Sequence, residues 1–123
     1  MANNDLRSQR SRARRKALQA LYQWQITGQD LSEIEKQFIA HQQMGNVDLE
    51  YFRNLLFEIP KNLTALSELI TPQLDRTGEQ LDPIELAILR IGAYELASRP
   101  DVPFRVVINE AIELARDFGA EQS

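Results

Sequence analysis

The stretch RSQRSRARRKALQALYQWQIT, residues 7–27, carries two patterns on one helical period. Ala13, Ala17, Ala20, Leu21 and Trp24 fall within roughly 100° of one another on a 3.6-residue wheel, which makes a stripe fit for burial. Arg12, Arg15, Lys16, Gln19 and Gln23 lie on the other side. One helix can thus pack with one face and hold a polyanion with the other. Gly28 supplies a C-terminal stop.

The formal net charge of −4 conceals how the two signs are distributed. Residues 1–16 form a basic arm and the start of the first helix: Arg7, Arg10, Arg12, Arg14, Arg15 and Lys16 stand against Asp5 alone, a net of +5. The other 107 residues hold 8 basic and 17 acidic side chains, a net of −9. A basic arm on an acidic body points to a polyanionic ligand for the arm and a different partner for the body. Cations crowded near a helix N-terminus oppose the macrodipole, so their placement suggests a use beyond solvation. Phosphate contact by Arg10, Arg12, Arg14, Arg15 and Lys16 is the expected use, arginine being suited to bidentate phosphate binding. Neutralising about five phosphates of a single strand implies a slope of roughly −3.5 for log affinity against log salt.

Helical spacing continues along the chain. Asp30 and Glu33 have capping-box spacing and open a helix running toward His41; Gly45 and Asn46 break it. Asp48 caps a third helix with Leu49, Phe52, Leu55, Leu56 and Ile59 inward. Pro60 is read as a kink, because the apolar pattern resumes with Leu63, Leu66, Leu69 and Ile70, and Pro72 as helping to end that helix. Asp82, Pro83 and Glu85 form a strong helix start. The following segment, with Ile84, Leu86, Ala87, Ile88, Leu89, Ile91, Ala93 and Leu96, is apolar nearly all round and is expected to be central. Pro103 opens a last helix with Val107, Ile108, Ala111, Leu114 and Phe118 inward and Gly119 as its stop. No segment reads as a strand, so the fold class is all-α. At 123 residues and 43% hydrophobic content the chain suits one domain.

Several function classes drop out. There is no cysteine, hence no disulfide framework and no thiolate site, and a reducing cytoplasm fits. His41 is the only histidine, in a polar tail without a ligand pattern; it is given no role, and neither metal nor cofactor is expected. Glu33 and Glu35, two apart on a helix, point to different sides and make no acid/base pair. Enzymatic activity is therefore not expected. No apolar run could span a bilayer, and the start of the chain lacks the apolar segment of an export signal, although an arginine-rich organelle transit peptide would share part of its pattern.

Three segments carry a resemblance. Residues 14–25, RRKALQALYQWQ, look like the N-terminal helix of NusB proteins; LRIGAYEL, residues 89–96, resembles their central helix; and PFRVVINEAIELA, residues 103–115, is similar to their most recognisable segment. The likeness runs in register over residues 10–123. It implies two small helical bundles packed together and a role in transcription antitermination: binding boxA of nascent ribosomal-RNA leader transcripts together with NusE, a small-subunit ribosomal protein, then joining RNA polymerase and other Nus factors. Some family members also dimerise. RNA-methylating enzymes with NusB-like domains attach a far larger catalytic domain, for which this chain has no room.

The resemblance also implies a final helix with a Phe-Val-Asn-Gly-Val-Leu-like run beyond Ser123; without it the second bundle is expected to expose an apolar groove. On this reading Arg10, Arg12, Arg14, Arg15, Lys16, Gln19 and Tyr22 are the RNA-binding candidates. Tyr22, between the stripe and the basic face, is placed to stack on an unpaired base, core packing being the competing account. Glu79, Glu85, Phe104 and Gln122 are the partner-binding candidates. Gln122 stands where many relatives place an acidic residue implicated in partner coupling, and Glu85 is equally explained as a capping-box residue. Competing readings are a helix-turn-helix-like DNA reader, a purely protein-bridging module and a basic amphipathic membrane anchor. The later helices are acidic or apolar, which disfavours the first, and the alanine stripe is too small for strong insertion.

Overall fold

The computed structural model describes residues 5–41, 44–77 and 81–119, with the side chains of residues 75–77 left aside. These residues form α1 (Leu6–Thr27), α2 (Leu31–His41), α3 (Leu49–Lys61), α4 (Leu63–Thr77), α5 (Pro83–Ser98) and α6 (Phe104–Leu114), followed by a π-helical turn, Ala115–Gly119. The architecture is all-α. The chain divides into two compact units, Met1–Glu58 and Ile59–Ser123, the number of bundles that the resemblance implies.

In the first unit, α1 begins at Asp5, whose carboxylate accepts the Ser8 N–H at 2.8 Å. That amide bond, helped by the Ser8 side chain and the Arg7 and Arg12 charges, holds the exposed carboxyl below its usual pKa. The cap is therefore complete above the ordinary carboxylate range and is lost only as pH falls through the lower folded value. Gly28, at φ 67°, closes α1 in the left-handed region that glycine adopts without steric penalty, its N–H bonded to Trp24 O. Asp30 accepts the Glu33 amide at the start of α2, and Asp48 accepts the Tyr51 amide at the start of α3. The buried stripe of α1 is Ala13, Arg14, Ala17, Leu18, Ala20 and Leu21, with Trp24 only half-buried. Ile34 and Phe38 of α2 and Phe52, Leu55 and Leu56 of α3 are also buried, with the Phe38 and Phe52 ring centroids 6.0 Å apart.

Four expectations need correcting in and around the second unit. Pro60 marks an interruption: α3 ends at Lys61 and α4 starts at Leu63, with the Asn62 amide bonded back to Ile59 O. Pro72 does not end α4, which continues to Thr77 because an interior proline removes a single ladder bond. On α5 the buried residues are Ile84, Ala87, Ile88, Ile91, Tyr94 and Glu95, while Leu89 and Leu96 face outward. Helix α5 packs against α4 and α6. On α6, Val107 and Leu114 are buried, but Ile108, expected inward, is 46% exposed and shares an outer row with Phe104 at 70% and Ile112 at 51%. The spacing of that row, i, i+4 and i+8, defines one helix face.

Candidate nucleic-acid interface

Beyond the exposed Arg7, the cations of α1 separate into two groups. Arg10 and Arg14 turn toward α3: their guanidinium carbons lie 4.5 and 5.3 Å from the centroid of the Tyr51 ring, within cation–π range. Arg10 Nε is also 3.6 Å from Asp48 Oδ2. Arg14 is only 2% exposed. The expectation that Arg14 contacts phosphate is corrected accordingly, since a buried guanidinium beside an aromatic ring belongs to the packing of the first unit. Arg10, half-buried and paired with the cap residue of α3, is chiefly a brace.

Arg12, Arg15 and Lys16 form the second group. With Gln19 and residues 44–47 they line an open basin of about 550 Å³. None of its described lining residues is a carboxylate. Arg12 Nε donates to Asn46 O at 2.9 Å, and the Asp48 amide, at the end of the same loop, donates to Gln9 O of α1 at 3.1 Å. These hydrogen bonds and the Arg10–Asp48 ion pair hold the loop against the helix, and the basin has one helical and one loop wall. Three cations lining one basin suit a chain of phosphates, with Gln19 beside them for a sugar or base edge. The contribution of residues 44–47 was invisible to helical-wheel reasoning, because Arg12 and Asn46 are 34 positions apart.

The other candidates are placed as follows. Tyr22 is half-buried and does not line the basin. Glu85 completes the α5 capping box: its amide donates to Asp82 Oδ1 at 2.8 Å and its Oε1 accepts the Asp82 amide at 3.2 Å. Phe104, in the first turn of α6, heads the exposed apolar row. Both lie in the second unit, apart in sequence from the basin. Glu79 and Gln122 lie outside the described residues. Among the described residues no cluster of His, Asp or Glu could hold a metal ion, and no helix is long and apolar enough to cross a membrane.

Comparison with known proteins gives this arrangement a family. The sequence profile of the NusB family matches residues 11–123. The transcription antitermination protein NusB of Alcanivorax borkumensis is 54% identical over 123 residues, covering 100% of this chain and 82% of that protein. That of Shewanella oneidensis is 49% identical over 116 residues, 94% of this chain and 87% of its own length. That of Nitrosococcus oceani is 53% identical over 114 residues, 93% of this chain and 76% of its own. With a profile match through both compact units and identities near one half along almost the whole sequence, the chain belongs to the NusB family.

Proposed function

We propose that this protein is a non-catalytic transcription antitermination factor of the bacterial cytoplasm that captures single-stranded boxA-type RNA on α1 and acts jointly with NusE in a complex with RNA polymerase and other Nus factors. The observation that carries the RNA reading is the basin, where Arg12, Arg15 and Lys16 converge on one open hollow together with Gln19. The names of the relatives support the role in antitermination. Binding needs no covalent step: phosphates dock on the cations, releasing counterions, and Gln19 and Tyr22 meet the strand further along the helix.

For the protein partner, the row Phe104, Ile108 and Ile112 offers an apolar anchor in the same unit as the acidic cap residues Asp82 and Glu85, a combination suited to a basic ribosomal protein. Glu79 and Gln122 remain candidate contacts for the same partner. A second copy of the chain is the competing occupant of the apolar row.

Fluorescence anisotropy with a short boxA-like RNA, with and without NusE, tests this reading. The intact protein is expected to bind more tightly when NusE is present, and the Arg12→Ala, Arg15→Ala, Lys16→Ala triple variant to lose most of its affinity. With three basin cations, log affinity should fall against log salt with a slope of roughly −2, from about −0.7 per phosphate, shallower than five contacts imply. Binding indifferent to salt and to the triple substitution would remove RNA from the account. Equal competition by duplex DNA would point to a nonspecific polyanion reader.

A further inference from the structure

One helical turn past the basin, α1 borders a second hollow of different chemistry. It holds about 360 Å³ and is lined by Gln23, Gln37, Phe38 and His41. Gln19 lines the basin and Gln23 the hollow, and residues four apart share a helix face about 6 Å apart along the axis. The two hollows are therefore neighbours along α1. From Arg12 to Gln23 the helix rises roughly 16 Å, a distance that a few nucleotides can cover.

None of the described residues lining the hollow is a lysine, an arginine or a carboxylate. Its polar groups are amides and an imidazole, and the amides are ordered. Gln23 Nε2 donates to Gln29 Oε1 at 2.8 Å and to Gln37 Oε1 at 2.9 Å, which uses both of its N–H groups. That fork fixes the Gln37 carboxamide with its oxygen toward α1 and its amino group pointing away from the fork. No other described residue bonds the Gln37 amino group or the His41 ring. Phe38, which also lines the hollow, is buried and apolar. A carboxamide paired with an imidazole presents donors and acceptors side by side, the pattern that reads the edge of an unstacked base. A phosphate would meet neither a lysine nor an arginine among the described lining residues.

Resting on the RNA reading of the basin, we infer that the Gln23–Gln37–His41 hollow is a base-reading pocket, in which an unpaired nucleobase of the strand held by Arg12, Arg15 and Lys16 is bound by its hydrogen-bonding edge. The basin supplies affinity and the hollow supplies base selectivity at one position. Gln37 and His41 make the contact, and Gln23 positions Gln37 through the fork.

An abasic walk tests this. Labelled 12-nucleotide single-stranded RNAs of boxA-like sequence, each lacking one base, are titrated against the wild-type protein and the Gln37→Ala, His41→Ala double variant at several salt concentrations. Both side chains are exposed, so the variant should melt with the wild type. For the wild type, removing the base at one position should weaken binding roughly tenfold, the scale of one lost base contact. In the double variant the same removal should change binding less than twofold, with an unaltered salt slope. If the abasic profiles of the two proteins coincide while both bind with a salt-dependent affinity, the pocket does not read a base and the basin reading stands. If the wild type binds none of these RNAs, the basin reading fails and the pocket falls with it.

Discussion

A guanidinium at 2% exposure has given up most of its hydration, and Arg14 recovers part of that loss over the Tyr51 ring. Arg15, the next residue, has its side chain in the open basin. The pair makes a direct contrast. Arg14→Ala should lower unfolding stability by about 2 kcal/mol or more, because both the stack and buried aliphatic packing are lost, whereas Arg15→Ala should stay within about 0.5 kcal/mol. Urea denaturation followed by circular dichroism measures both, and RNA affinity should respond in the opposite order. Helical spacing contained this distinction: Arg14 stands three residues before Ala17 and four before Leu18, inside the stripe and not opposite it. Reading the run RARRK by its charge alone obscured the angle at which each side chain leaves the helix. The role of Tyr51 was beyond such reasoning, since nothing local ties it to residues some 40 positions earlier.

Asp48 joins elements that sequence separation keeps apart. Its carboxylate caps α3 and faces Arg10, and its amide bonds to Gln9 of α1. Asp48→Ala should therefore cost about 1–2 kcal/mol, near the upper end for an N-cap, while Asp48→Asn, which retains a capping oxygen, should cost less. The same urea titrations, compared between the two variants, separate the cap from the ion pair; equal losses would mean that the charge on Arg10 matters more than the cap. Element boundaries set by side-chain chemistry were legible in the sequence, as the capping bonds of Asp30, Asp48 and Asp82 and the left-handed Gly28 show. Boundaries and faces that depend on tertiary choice were not. Pro72 stays within α4, and α6 has two apolar rows, Val107 with Leu114 and Phe104 with Ile108 and Ile112, of which only the first is buried. Periodicity cannot say which of two apolar faces finds a neighbour.

At the scale of the molecule, the boundary between the two units falls between Glu58 and Ile59, inside α3. Segments of about 60 residues bury too little surface to be robust alone, and a helix continuous across the boundary links their unfolding. We expect a single calorimetric transition whose van't Hoff and calorimetric enthalpies agree; two resolved transitions would make the units separate domains. The segregation of charge, +5 on residues 1–16 and −9 on the remainder, is likewise a property of the whole chain that composition alone hides. Arginine-rich segments that order only when they meet RNA give up roughly 1–2 kcal/mol of backbone entropy per residue in doing so. Here Arg12, Arg15 and Lys16 ride on a helix already fixed by Ala13, Ala17, Leu18 and Leu21 beneath them. Under the proposed function, an RNA strand would meet a template whose shape is set in advance, recognition on α1 would be a matter of fit to a rigid surface, and the ordering penalty of association would fall on the RNA.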